Sequence, residues 1–190
     1  MSDDFTTLDG TQAAVWRRLE AAMSDPAAPA RNIALATADL QGGAAVRMVV
    51  LRAADRAGGR LAIYTNALSG KVAELEADPA CECLVWDAEA RFQIRLRGAA
   101  EVLAGPGAVW QAMAEHERML YAESPGPGTE MEDAEDLADF PPTPSAEVFR
   151  LVQVTLAGIE TLQLARDLHR RASFVPGPEG ATWQGVWITP

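Results

Sequence analysis

Residues 31–65 read RNIALATADLQGGAAVRMVVLRAADRAGGRLAIYT. Three apolar runs are separated here by glycine pairs. Ile33 to Thr37 predicts a first strand, Gln41-Gly42-Gly43 a turn, and Ala45 to Arg52 a second strand, so these two runs form a hairpin. Gly58-Gly59 makes the next turn and leads into a third strand, Arg60 to Thr65. Strands joined by turns this short pair antiparallel, because a parallel pair needs a long crossover. The pattern continues outward. Ser69 opens a short helix through Glu76 that stops at Asp78-Pro79, and Cys81 to Asp87 and Arg91 to Leu103 follow as strands, the second bent at Gly98. Glu147 to Thr155, Ile159 to Leu164, Arg171 to Val175 and Trp183 to Ile188 are also β-rich. Two longer helices flank them. In residues 11–23, Ala14, Val15, Leu19, Ala22 and Met23 recur at helical spacing, with Thr7 or Asp9 as the cap. Gly105 to Tyr121 carries Trp110, Met113 and Glu117 along one side. The expectation is one domain over residues 1–190, mainly β with flanking helices, closed as an antiparallel barrel or sandwich rather than a doubly wound sheet.

Composition bounds the function. The chain of 190 residues has 48% hydrophobic residues, enough for a sizeable core, and a formal net charge of -11. That sign argues against a nucleic-acid partner, whose footprint is basic. The excess is local: ten of the 27 acids lie between Glu115 and Glu147, against the single base Arg118. Residues 122–145 combine most of these acids with Pro and Gly and predict a long acidic loop that is a lid, a partner surface or a solvated excursion. The start of the chain does not resemble a signal peptide, and no apolar run reaches the ~20 residues of a membrane span. Together with two cysteines too close to form a useful loop, this predicts a reducing, cytoplasmic setting without membrane contact. Cys81 and Cys83 share one strand face as buried hydrophobes, and with only His116 and His169 besides, no metal site is expected.

Three segments carry candidate chemistry. In Arg47-Met48-Val49-Val50-Leu51-Arg52, Arg47, Val49 and Leu51 face one way and Met48, Val50 and Arg52 the other. An arginine at a strand end commonly snorkels to water, yet each of these sits beside apolar residues. Tyr64-Thr65-Asn66 then runs into Ser69-Gly70-Lys71, where a helix start leaves backbone N–H groups free for an anion. Every other basic residue of the chain is arginine, so the sole lysine lies in the first turn of a helix, an unfavourable place beside the dipole that an anion would explain. In Arg91 to Arg97, Gln93, Arg95 and Arg97 alternate with Phe92, Ile94 and Leu96, so Gln93 stands among arginines on the polar face. No glycine-rich phosphate loop follows a strand.

The succession R-M-V-V-L-R, Y-T-N-x-x-S-x-K and Q-x-R-x-x-G resembles the pyridoxamine 5'-phosphate oxidase-like, FMN-binding split-barrel family, well over residues 31–104 and loosely over 147–190. The resemblance implies a split β-barrel with FMN as cofactor. Arg47 and Lys71 would hold its phosphate with Ser69 assisting. The backbone of Met48, Val49, Val50 and Leu51 would run beside the isoalloxazine, which Tyr64 and Thr65 would touch. Gln93, from the partner subunit or close to it, and Arg171 would complete a site at the interface of a homodimer. The departures are equally specific. The segment where true oxidases carry a Ser-Arg-Pro-rich stretch is acidic here, and the C-terminal Arg-x-His motif reads Asp167-Leu168-His169. The family tryptophan falls near Leu162, position 70 is Gly, and Arg52 replaces a lysine. The expectation is an FMN-dependent oxidoreductase acting on an unphosphorylated or cationic small molecule, with a non-catalytic FMN carrier or sensor as the alternative and a deazaflavin as the alternative cofactor.

Overall fold

The computed structural model describes residues 3–135, 142–177 and 182–190. In chain order the elements are α1 (Leu8–Ala21), β1 (Asn32–Ala38), β2 (Ala44–Asp55), β3 (Arg60–Asn66), α2 (Gly70–Ala77), β4 (Ala80–Asp87), β5 (Phe92–Ala104), α3 (Gly107–Ala112), α4 (Glu115–Arg118), β6 (Phe149–Gln163), β7 (Arg170–Pro176) and β8 (Trp183–Ile188). The sheet order is β3-β2-β1-β4-β5-β6-β7-β8, and a further β3–β6 pairing closes the first six strands into an antiparallel barrel. The expected mainly β split barrel is thus the fold observed.

The core follows from period-2 alternation. Ile33 and Leu35 of β1, Val49 and Leu51 of β2, Leu61 and Ile63 of β3, Cys83 and Val85 of β4, Phe92, Ile94 and Leu96 of β5, and Val152 and Val154 of β6 all point into the barrel and are buried. Helix α1 packs Ala14, Val15, Trp16 and Leu19 onto that core. It starts at Leu8, three residues before the 11–23 stretch, because the Thr7 hydroxyl accepts from the Gly10 N–H at 3.1 Å and caps it there. Arg18 then ties the helix down, donating to Asp3 at 2.6 Å and Asp87 at 2.7 Å while its guanidinium lies 5.1 Å from the Phe92 ring centroid. Burial works against ionisation of Asp3, but the hydrogen bonds and charges of Arg18 and Arg17 outweigh it and hold the carboxyl below its ordinary range.

Two expectations are corrected. The runs Glu147 to Thr155 and Ile159 to Leu164 are one continuous strand, β6. The apparent break at Leu156-Ala157-Gly158 is a bulge: the register jumps from Arg97↔Gly158 to Gly98↔Leu156, leaving Ala157 without a partner on β5. The single helix expected over 105–121 is two short ones, α3 and α4, separated at Met113-Ala114 by extended backbone. Tertiary contacts override helix propensity there. Arg118 Nε donates to the Trp110 carbonyl at 3.0 Å and Glu117 accepts from the Ala114 N–H at 3.0 Å, so the break is stabilised from both sides. It lets Trp110 and Tyr121 both reach Phe149, with ring centroids at 5.8 and 4.8 Å.

The acidic stretch is anchored at both ends. Ala122 bridges Pro144, the Glu123 N–H donates to the Thr143 carbonyl at 3.2 Å, and the Ser145 N–H donates to Tyr121 at 3.0 Å. The part of the expected 122–145 loop that spans 136–141 lies outside the described residues.

Gly98 is required at the bulge, since a Cβ there would lie 2.2 Å from the Thr155 carbonyl oxygen, a backbone atom that cannot swing aside. Gly98→Ala is therefore expected to destabilise the fold by at least about 2 kcal/mol through overpacking. Urea unfolding checks this, and an unchanged midpoint would contradict it.

Candidate functional site

The ends of β2 and β3, the start of α2 and the residues after α4 enclose a cleft of about 440 Å³. β2 and β3 run antiparallel with Leu51 opposite Ile63, and the register shift between Leu51 and Ala53 turns Arg52 toward Tyr64. The Arg52 guanidinium lies 5.8 Å from the Tyr64 ring centroid. Met48, Val49 and Val50 line one wall and Tyr64 and Thr65 another, with Ser69 and Lys71 at the polar end. The chain reaches that end because Ala67 to Ser69 turn sharply: the Ser69 N–H donates to the Asn66 carbonyl at 3.0 Å, and the Val72 N–H donates to the Ser69 carbonyl at 2.8 Å.

Ser69 is the N-cap residue of α2, yet its hydroxyl makes no cap bond. It accepts instead from Lys71 Nζ, which also donates to the Thr65 hydroxyl at 3.1 Å. Among the described residues the Lys71 ammonium thus has hydroxyl partners and no carboxylate partner. Its pKa is lowered, first by burial and then by the charge of Arg47, with Glu74 opposing. The nearby acid is already engaged: Glu74 Oε2 accepts from Arg47 Nη2 at 2.6 Å and from the Thr37 hydroxyl at 2.6 Å, and Arg47 also donates to Thr37. A half-buried cation beside two hydroxyls, a second cation and the first turn of a helix is the donor set that an oxyanion needs. An apolar slot opens beside it. These residues fit a phosphate attached to a flat ring.

The sequence-derived residues fall into three groups. Met48, Val49, Val50, Tyr64, Thr65, Ser69 and Lys71 line one cleft. Arg47 lies behind it, salt-bridged to Glu74, and the Leu51 side chain is fully buried in the barrel, so only its backbone is at hand. Gln93 and Arg171 do not line the cleft. Val50 pairs with Asn32, the β1–β4 register sets Asn32 level with Trp86, and Trp86 pairs with Gln93. Gln93 is therefore three strands from Val50, roughly 14 Å at about 4.8 Å per strand. Arg171 is two strands farther on, opposite Leu162, and its guanidinium donates to Glu160 at 2.8 Å. Glu160 also accepts from Arg95, which grips Glu82 at 2.5 Å.

The cleft also contains residues that the sequence did not single out as cofactor contacts: Arg52, Asn66, Leu120, Tyr121 and Pro127. The alternation of β2 signalled Arg52, since it shares a face with Met48 and Val50. Leu120, Tyr121 and Pro127 arrive only through the fold-back of the segment after α4, which Asn66 secures by donating from Nδ2 to the Ala122 carbonyl at 2.7 Å. Burial raises the pKa of the Tyr121 phenol, and the charge and hydrogen bonding of Arg52 partly offset this. Burial also pushes the thiols of Cys81 and Cys83 up to about 11 and about 12, which disfavours their thiolate forms. No group of three metal-ligating side chains occurs among the described residues.

The family model for the FMN-binding domain of pyridoxamine 5'-phosphate oxidase matches residues 13–104. A pyridoxine/pyridoxamine 5'-phosphate oxidase from Mesorhizobium japonicum is 41% identical over 110 residues, covering 54% of this chain and 52% of that protein. The counterpart from Maricaulis maris is 45% identical over 73 residues, or 38% of this chain and 32% of that protein. The matches thus span about half or less of the curated relatives. A pyridoxamine 5'-phosphate oxidase-related, FMN binding protein from Nostoc punctiforme superposes with a TM-score of 0.76 at 21% identity, over 97% of this chain and all of that one. PhzG from Burkholderia lata, solved in complex with tetrahydrophenazine-1-carboxylic acid, gives 0.71 at 22% identity, over 94% and 92% of the two chains. Residues 13–104 thus match the pyridoxamine 5'-phosphate oxidase-like family, and the chain has the fold of its FMN-binding split barrels.

Proposed function

We propose that the protein is an FMN-dependent oxidoreductase that works as a homodimer on an unphosphorylated small molecule and is not itself a pyridoxamine phosphate oxidase. The observation that carries this reading is the Lys71 ammonium, held between the Thr65 and Ser69 hydroxyls at the polar end of an apolar cleft. Lys71 and Ser69 bind the FMN phosphate, with Arg47 contributing charge from behind. Tyr64, Thr65 and the β2 backbone at Met48 to Leu51 hold the ring. Bound FMN would supply reversible electron and hydride transfer, and the protein's task is to orient the substrate and exclude water. The acids between Glu115 and Glu147 oppose a phosphorylated substrate by charge.

The dimer is argued from an apolar sheet face. Val46 and Met48 are 67% and 63% exposed, and Trp86 is 47% exposed. The register aligns Met48, Ala34 and Leu84 in one row across β2, β1 and β4. A second copy covering this face would bury it and bring Gln93 and Arg171 of one subunit to the cleft of the other, which Met48 borders. Glu160 would then position Arg171.

Lys71→Ala is expected to weaken FMN at least tenfold, the scale of one lost charge-assisted hydrogen bond, while riboflavin affinity changes less than threefold. Arg47→Ala should act in the same direction. Equal losses for both ligands would refute the phosphate role. Binding of FMN, relative to riboflavin, should also weaken as pH rises. Lys71 has a lowered pKa when free and a raised one beside a phosphate, so the loss begins below the 10.5 of an ordinary lysine. In Lys71→Met that ratio should be flat with pH. Trp86→Asp is expected to give a monomer by light scattering with at least tenfold weaker FMN, and a wild-type monomer that retains FMN would contradict the shared site. Bound flavin that neither NADH, NADPH nor a panel of small-molecule substrates can reduce would favour a carrier or sensor instead.

A further inference from the structure

Beside the flavin cleft lies a second cavity of about 420 Å³, walled chiefly by Met119, Leu120, Pro125, Pro127, Met131 and Pro142. The two share Asn66, Leu120 and Pro127, so they form adjoining compartments. No described lining residue of this compartment is charged. Its polar side chains are already satisfied: Asn66 donates to the Ala122 carbonyl at 2.7 Å and accepts from the Leu68 N–H at 2.8 Å, and Thr129 donates to the Gly126 carbonyl at 2.8 Å. A polar ligand would therefore have to compete with existing hydrogen bonds for these side chains, whereas an apolar one would remove methionine, leucine and proline surface from water. Glu123, Glu130 and Glu132 of the same segment are exposed around it and disfavour an anion. The volume suits a small ring system.

We infer that this compartment is the substrate subsite: it takes the uncharged apolar ring portion of the molecule that reacts in the adjoining cleft. The inference rests on the flavin-dependent reading given above. An occupant held here lies next to whatever fills the cleft, so the ring would be delivered at the wall formed by Leu120 and Pro127.

Calorimetric titration of FMN-loaded protein with 2-naphthalenemethanol and 2-naphthyl phosphate tests this. The alcohol is expected to bind saturably and the phosphate at least tenfold more weakly. Met131→Glu should weaken the alcohol at least tenfold while FMN affinity stays within twofold, and Met131→Leu should restore alcohol binding. No saturable binding of the alcohol, equal binding of alcohol and phosphate, or an unchanged affinity in Met131→Glu would overturn the inference. If the protein fails to load FMN yet binds the alcohol in a way that Met131→Glu abolishes, the apolar subsite stands and the flavin reading falls. If FMN loads and the alcohol does not bind, the reverse holds.

Discussion

A close approach of two backbones at Gly98 governs the architecture. Only a residue without a Cβ can let the Thr155 carbonyl come this near, and there β6 carries its extra residue Ala157. The bulge bends β6 between its two roles. Its first half, Phe149 to Thr155, pairs with β3 and closes the barrel, while its second half, Ile159 to Gln163, stays paired with β5 on one edge and takes β7 on the other. A straight strand would serve one of these purposes. The cleft depends on this closure, because Tyr64 and Thr65 are held on their far side by Leu151 and Arg150.

Charge is sorted as carefully as backbone. Glu74 stands one helical turn from Lys71, and a free carboxylate there would compete with any anion for the ammonium. Its Oε2 is instead held by Arg47 and Thr37, which leaves Lys71 with hydroxyl partners. Of the acids that follow α4, Glu123, Glu130 and Glu132 are exposed on the segment that walls the apolar compartment, and none of them lines the cleft that holds the lysine. One chain can therefore be strongly acidic overall and still offer a cationic pocket.

Much of this was legible in the sequence. Strand alternation grouped Val49 with Leu51 and Ile94 with Leu96 on the faces that prove to be buried, and the lone lysine beside Ser69 marked the polar end of the cleft. What stayed hidden depends on contacts distant in sequence. Leu156-Ala157-Gly158 reads locally as a strand end, and only the partner strand reveals a bulge. Residues 105–121 have the composition of one helix, and the break shows only in the fold, where Arg118 and Glu117 stabilise it and Trp110 and Tyr121 both meet Phe149. Gln93 and Arg171 lie strands away from the cleft of their own chain, a separation that the local alternation around each residue does not reveal.

The order of pairing around β6 also sets a condition on synthesis. β6 is the sole barrel neighbour of β3 on one side and of β5 on the other, and it comes more than eighty residues after β3 ends. Until Phe149 to Gln163 have left the ribosome, a nascent chain holds a five-stranded sheet with two open edges and an uncovered apolar face. Such edges invite pairing with other chains, and long-range closure is slow. The acidic stretch emerges during just that interval, placing a run of negative charge beside the vulnerable sheet while it waits for its last barrel strand.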